Sequence, residues 1–217
     1  MIVLAFDTST TGCAAAVLDG ATVLARGEAP MGAGQSEALM PLLHDVMARA
    51  GMDWKRLELI AVTVGPGSFT GLRIGLAAAR GLALALGVPV ACVSTPEALA
   101  AGTPADERGK RRILVAIDSK RADLFVQTFD ARLAPTAPVA AMAPADAARL
   151  IPAPLLVGDG APKLVGLIPD SIPSRAPSRV DPVALAELAA RRHAEGEALP
   201  PEPLYLRPAD VTMAAAS

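Results

Sequence analysis

Aromatic side chains make up only 3% of this 217-residue chain, and histidine and cysteine occur twice each. Cys13 and Cys92 lie far apart in apolar surroundings and form no CxxC pair. His44 and His193 form no HxxxH or HExxH pair. A structural zinc site and a zinc hydrolase are thereby excluded, and two buried thiols in a reducing compartment are expected. Neither sign of charge is in excess: 20 basic against 22 acidic residues give a net charge of −2 and a pI near 5.7. No positive field exists to hold a nucleic acid by phosphate neutralisation alone. The opening apolar run from Met1 to Phe6 meets Asp7 at once and carries no basic leader, so it does not read as a signal peptide. The longest uncharged apolar stretch, Gly81 to Pro96, is broken by Gly87 and Pro89 and falls short of the roughly 20 residues a bilayer demands. A soluble, cytoplasmic chain with no membrane partner is expected.

What the chain has is aliphatic. Hydrophobic residues reach 52% against 19% charged, enough to bury a core built from Ala, Leu, Val and Ile. Ile2–Phe6 reads as a buried strand ending in Asp7-Thr8-Ser9-Thr10-Thr11-Gly12. Cys13–Leu18 and Ala21–Arg26 follow as strands joined by Asp19-Gly20, the signature of a type I′ hairpin. A helix is predicted over Ser36–Ala50, with Leu39, Leu42, Leu43, Val46 and Met47 at helical spacing, Gly51 beyond it, and His44 off the stripe. Leu59–Val64 is a second apolar strand. It runs into Gly65-Pro66-Gly67-Ser68-Phe69-Thr70-Gly71, which opens a helix over Leu72–Leu86 ended by Gly87. Val90–Val93 is the next strand, and Ser94 or Thr95 caps a helix with Pro96 at its first position.

The polar run Gly102–Arg112 marks the expected boundary between lobes at 1–104 and 105–217. Beyond it the pattern returns. Ile113–Ile117 ends in Asp118, Leu124–Phe129 and Pro138–Ala141 are strands, Ala145–Ile151 is a short helix, and Leu155–Val157 runs into Gly158-Asp159-Gly160. Asp181-Pro182 starts a last helix to Arg192, and Pro203 to Arg207 is an extended tail. Strand-Asp, hairpin, helix, strand-Gly-x-Gly thus occurs twice.

A strand-end carboxylate followed by Thr, Ser and Gly can hold hydrated Mg²⁺ and a nucleotide phosphate. Asp7, Thr8, Ser9, Thr10 and Gly12 would form one such loop, and Asp118 and Ser119 the second; Gly65 and Gly67 are further candidates for a phosphate. In the second loop Lys120, Arg121 and Ala122 stand where glycines are wanted. Equally, both aspartates can simply end strands and accept turn amides. The glycine run suits an anion at a helix N-terminus or a tight turn that brings backbones together. It is neither a P-loop nor a nucleophile elbow, lacking the Lys-Ser/Thr pair and the flanking glycines those require. The helix Leu72–Leu86 carries only Arg73 and Arg80 as polar side chains, seven apart on one line, so one of its faces is expected to meet another protein.

Together these segments resemble the bacterial TsaB (YeaZ) family, of the TsaD-related, glycoprotease-like superfamily. The carriers are Leu4-Ala5-Phe6-Asp7-Thr8-Ser9-Thr10, the specific run from Gly65 to Gly75, Ala79-Arg80-Gly81-Leu82-Ala83, Val93-Ser94-Thr95, Ala116-Ile117-Asp118 and Leu204-Tyr205-Leu206-Arg207. The resemblance implies an α/β chain of the duplicated actin-like ATPase (ASKHA, RNase H-like) fold, with two lobes, the second reduced. It also implies a non-catalytic subunit of the complex that makes N6-threonylcarbamoyladenosine next to the anticodon of tRNA.

TsaD follows a similar strand with a metal-binding HxxxH. Here Thr95 and Leu99 fall at those places, so no catalytic and no metal residues are assigned. The implied partners are TsaD, as a heterodimer through the two first-lobe helices, and the ATPase TsaE, with tRNA only as substrate of the complex. Self-association of the isolated chain is left open. On those helices the interface is expected at Leu39, Leu43, Met47, Arg73, Ile74, Gly75, Ala78, Ala79 and Leu82. No cofactor is required, and ATP or ADP would sit where subunits meet. The alternative is a small ATP-dependent phosphotransferase or ATPase using Asp7.

Overall fold

The computed structural model describes residues 1–29 and 34–206; the expected end of the tail at Arg207 lies outside them. The first sheet is built from β1 (Ile2–Asp7), β2 (Cys13–Asp19), β3 (Thr22–Ala29), β4 (Leu59–Thr63) and β5 (Val90–Val93), in the order β3-β2-β1-β4-β5. The second is built from β6 (Ile113–Asp118), β7 (Leu124–Phe129), β8 (Ala140–Met142), β9 (Leu155–Val157) and β10 (Ile172–Pro173), in the order β8-β7-β6-β9-β10. In each sheet the first two pairings in the chain are antiparallel and the next two parallel. The duplication expected from the strand-Asp and Gly-x-Gly echoes is therefore a duplication of topology. The second copy is reduced: β8, β9 and β10 have 3, 3 and 2 residues against 8, 5 and 4 in their counterparts.

The helices are α1 (Gln35–Arg49), α2 (Phe69–Leu86), α3 (Thr95–Ala101), α4 (Ala105–Arg108), α5 (Pro144–Ala147) and α6 (Pro182–Glu195). Ser94 caps α3 with a reciprocal box to Glu97, and the Asp181 side chain caps α6. Alternation along the strands divides the core among layers. Ile2, Leu4 and Phe6 of β1 face α1 and α2, while Val3 and Ala5 face inward. In β6, Ile113, Val115 and Ile117 face that same interior, and Leu114 and Ala116 turn outward towards α5. Between the two sheets lie α3 and α6. Both faces of the central strands are covered, which is why they read as unbroken apolar runs. The last helix lies across β1, β2, β4 and β5 of the first sheet, and Arg192 on it bonds Glu97 of α3 at 2.6 Å.

Local details differ from expectation in four places. The first hairpin turns at Gly20-Ala21, between the paired Asp19 and Thr22, with positive φ at Gly20 alone, so it is not of the I′ type. The run Gly102–Arg112 contains α4. The predicted helix Ala145–Ile151 is the shorter α5, and the two-residue β10 has no sequence signal. Cys13 and Cys92 are buried and unpaired. Burial pushes the Cys92 thiol up to about 12 against a small opposing pull from Arg80. Burial and the nearby Asp7 charge raise Cys13 as well. Neither thiol is a thiolate at neutral pH, so both are expected to resist DTNB in the native chain and to react on unfolding. Fast labelling of Cys92 in the folded protein would contradict this.

Candidate functional site

The parallel strands β1 and β4 end at one edge of the first sheet, and β6 and β9 end at the corresponding edge of the second. A crevice at the carboxyl ends of such strands is the expected ligand position of an open α/β sheet. Here it is a cavity of about 730 Å³, bordered by the loop after β1, Gln35, Pro66–Phe69, Leu72, Ile117–Arg121, Phe125, Asp159 and Leu204–Leu206.

On the first-lobe side Asp7 is 1% exposed and acts as a hydrogen-bond hub. Its Oδ1 accepts from the Ser9 amide (3.1 Å), the Ser9 hydroxyl (2.5 Å) and the Thr63 hydroxyl (2.5 Å). Its Oδ2 accepts from the Thr10 amide (3.3 Å) and hydroxyl (2.6 Å). Thr95 extends the network by donating to Ser9 Oγ at 3.0 Å. The carbonyls of the same loop are gathered by one side chain: Gln35 Nε2 donates to Thr8, Thr10 and Gly12 oxygens at 3.1, 3.3 and 2.9 Å.

The glycine run is spent on this loop. A Cβ on Gly67 would stand 2.3 Å from the Ser9 carbonyl oxygen, one on Gly71 1.9 Å from that of Thr8, and one on Gly75 2.4 Å from Thr8 Oγ1. The Thr8 hydroxyl donates to the Gly71 carbonyl at 2.7 Å, and the Ser68 amide donates to the Ser9 carbonyl at 2.8 Å. Of the two readings the sequence allowed, close backbone approach is the one built. Ser9, Thr10 and Gly67 do border the cavity. Asp7, Thr8, Gly12 and Gly65 are buried behind it.

The second-lobe side carries charge. Lys163 Nζ lies 2.9 Å from Asp118 Oδ1, and Lys120 Nζ lies 3.1 Å from Asp159 Oδ2 and 3.7 Å from Asp118 Oδ2. Burial works against a charged Asp118. The Lys163 hydrogen bond, the Lys120 amide and the charges of both lysines outweigh it, holding the carboxyl below its ordinary range. Lys120 is raised by Asp159 and Asp118 despite partial burial. The Gly158 turn (φ +99) matches Gly65 (φ +108) in the first copy. A Cβ on Gly158 would meet the Ala116 carbonyl oxygen at 2.3 Å.

The expected interface residues divide sharply. Leu39, Leu43 and Met47 of α1, and Gly75 and Ala79 of α2, are buried against the chain's own first sheet. They sit on the core-facing side of each helix and cannot meet a partner. Ile74, Ala78 and Leu82 are partly covered, and Arg73 is exposed. Beyond Arg73, α2 exposes Ala77, Arg80, Gly81, Leu84 and Ala85, with Leu84 88% exposed.

Both arginines of α2 are used by the C-terminal segment. Arg73 Nε donates to Tyr205 Oη at 3.0 Å, and its guanidinium stacks 3.8 Å over the Phe69 ring, which packs on Tyr205. Arg80 donates to the Pro201 carbonyl. The sequence carries no signal for Gln35 or Lys163, and Tyr205 entered only as part of the Leu204–Arg207 segment of the family resemblance, with no role assigned. At the positions compared with the HxxxH of TsaD, Thr95 and Leu99 are buried, 0% and 2% exposed.

The family model described as TsaD, tRNA N6-adenosine threonylcarbamoyltransferase, matches residues 29–154, more than half of the chain. The tRNA threonylcarbamoyladenosine biosynthesis protein TsaB of Escherichia coli is 35% identical over 126 residues, 58% of this chain. The YeaZ structure from Pseudomonas aeruginosa superposes with a TM-score of 0.79 at 27% identity, covering 94% of this chain and 99% of that one. The chain belongs to the TsaB (YeaZ) family. The match spans 53% of the length of the E. coli TsaB. An activator of 2-hydroxyisocaproyl-CoA dehydratase from Clostridium difficile, solved with bound ADPNP, shares the fold alone, with a TM-score of 0.52 at 10% identity over 91% of this chain and 97% of that one. This TsaB-family chain has the duplicated actin-like ATPase architecture. The Gly65–Gly75 run that carried the resemblance packs α2 on the Thr8–Ser9 loop.

Proposed function

We propose that this chain is the non-catalytic docking subunit of the assembly that makes N6-threonylcarbamoyladenosine on tRNA. It binds and supports the transferring enzyme TsaD in the cytoplasm, with the ATPase TsaE as a third member. The tRNA enters only as substrate of the complex. The chain requires no cofactor of its own, and any ATP or ADP is held where subunits meet.

The observation that carries this reading is the outward face of α2. Ala77, Gly81 and Ala85 are small enough for another helix to approach closely, and Leu84 projects almost wholly into solvent. By length and composition α2 could cross a membrane, yet its inner side is packed on Thr8 and Val62, so a protein partner fits better than lipid. The Asp7 hub, with both oxygens already bonded within the chain, gives the phosphotransferase alternative no support. The same α2 face is open to a second copy when the chain is isolated.

The test is Leu84→Glu, with Ala77→Arg as an independent second variant. Leu84 makes little contact within its own chain, so thermal stability should stay within about 0.5 kcal/mol of wild type. A buried unpaired carboxylate at the centre of an interface should weaken TsaD binding by about 2 kcal/mol, roughly 30-fold, in calorimetric titration. Wild-type affinity in both variants would remove α2 as the docking face.

A further inference from the structure

The actin-like ATPase fold brings with it the expectation of a divalent cation and nucleotide phosphate between the lobes, held by strand-end carboxylates. The residues of this cleft do not fit that group. A hard cation needs carboxylate oxygens, or waters hydrogen-bonded to them, and those of Asp7, Asp118 and Asp159 already face amides, hydroxyls or lysine ammonium groups of the chain itself. Both oxygens of Asp7 are engaged by Ser9, Thr10 and Thr63. Asp118 Oδ1 accepts from the Lys120 amide at 2.8 Å and from Lys163 Nζ at 2.9 Å, and its Oδ2 faces Lys120 Nζ. Asp159 Oδ1 accepts from the Asp118 amide at 2.8 Å, and its Oδ2 accepts from Lys120 Nζ at 3.1 Å.

We propose that Lys120 and Lys163 stand in for the divalent cation, fixing the two second-lobe loops of the cleft with no metal of their own. The charge balances: two ammonium groups neutralise Asp118 and Asp159 as one divalent ion would. The backbone supplies an independent observation. Lys120 sits at φ +61, in the left-handed region where glycine is preferred. A side chain kept there against that preference is explained by what its ammonium reaches, two carboxylates belonging to different loops. Lys163 arrives from the turn of 3-10 helix at Ala161–Lys163, held in place by the Gly160 turn packed on β6. The consequence is a cleft whose loops answer to neither Mg²⁺ nor nucleotide.

The experiment uses the full chain and needs neither TsaD nor tRNA, so it is independent of the docking face. Mn²⁺ binding is followed by electron paramagnetic resonance, and the melting temperature is compared in EDTA and in millimolar Mg²⁺. Wild type should leave Mn²⁺ free and melt at the same temperature in both. The Lys120→Gly, Lys163→Met double variant should melt lower in EDTA, rise with Mg²⁺ and bind one Mn²⁺ per chain, a response lost when Asp118→Asn is added. Lys120→Gly alone should also lower the melting temperature, although it relieves the left-handed backbone. Mn²⁺ held by the wild type and released by Asp118→Asn overturns the proposal. So does a folded double variant indifferent to cations, or a Lys120→Gly variant that melts higher than wild type.

Discussion

Gly71→Ala is expected to destabilise the chain by at least about 3 kcal/mol, lowering its melting temperature by roughly 6–12 °C for a domain of this size. The added carbon would lie 1.9 Å from the Thr8 carbonyl oxygen, and neither atom belongs to a side chain that can rotate away. Relief requires sliding α2 off the loop after β1, which would break the bond from the Thr8 hydroxyl to the Gly71 carbonyl. Gly81→Ala in the same helix supplies the control, because a Cβ there meets nothing within 4 Å. It should stabilise by about 0.5–1 kcal/mol through helix propensity. Chemical denaturation of the two variants should therefore give shifts of opposite sign. Similar small shifts would mean that α2 does not press on Thr8. Gly75→Glu would likewise report on internal packing against Thr8 Oγ1, and a loss of TsaD binding in that variant would say nothing about the interface.

Asp7→Ala should be the second severe variant. It leaves two amides and three hydroxyls without their acceptor in a site that is 1% exposed. At about 1–3 kcal/mol for each buried donor left unpaired, and with hydroxyls partly able to find other acceptors, a loss of at least about 3 kcal/mol is expected. Asp7→Asn should fall between, since its single amide oxygen can satisfy only part of the set while the rotatable hydroxyls turn to accept from its NH₂. Urea unfolding of both variants measures this. If Asp7→Ala stayed within 1 kcal/mol of wild type (a modest effect by the usual scale), the carboxylate would not be a structural hub and its role would have to be sought at the cleft.

The sheets were legible in the sequence because strands covered on both faces read as unbroken apolar runs, and because the Asp and Gly-x-Gly endings recur at matching places in the second copy. The two-residue β10, exposed at Ile172, has neither property. The glycine run could be recognised but not assigned. Whether Gly67 and Gly71 admit a phosphate or a peptide depends on where Thr8 and Ser9 lie, some sixty residues earlier in the chain. Five of the nine expected interface residues are buried for a related reason. Helical periodicity picks out the apolar stripe, and on α1 and α2 that stripe (Leu39, Leu43, Met47, Gly75, Ala79) is the one the chain buries itself. The docking face proposed for α2 is the opposite side, where small residues and one stranded leucine are exposed. Gln35, Lys163 and Tyr205 act on partners 23 to 132 residues distant in sequence, beyond the reach of local pattern.

The placement of α6 bears on the order of assembly. The inner side of the first sheet is completed by a helix from the far end of the chain, across β1, β2, β4 and β5. During synthesis those strands emerge first and must wait, with Val3, Ala5, Leu59 and Ala61 uncovered on that side, until residues 182–195 leave the ribosome. Early strands closed by late helices make this a fold of long-range contacts, in which the nascent amino-terminal half carries an aggregation hazard that the finished molecule does not.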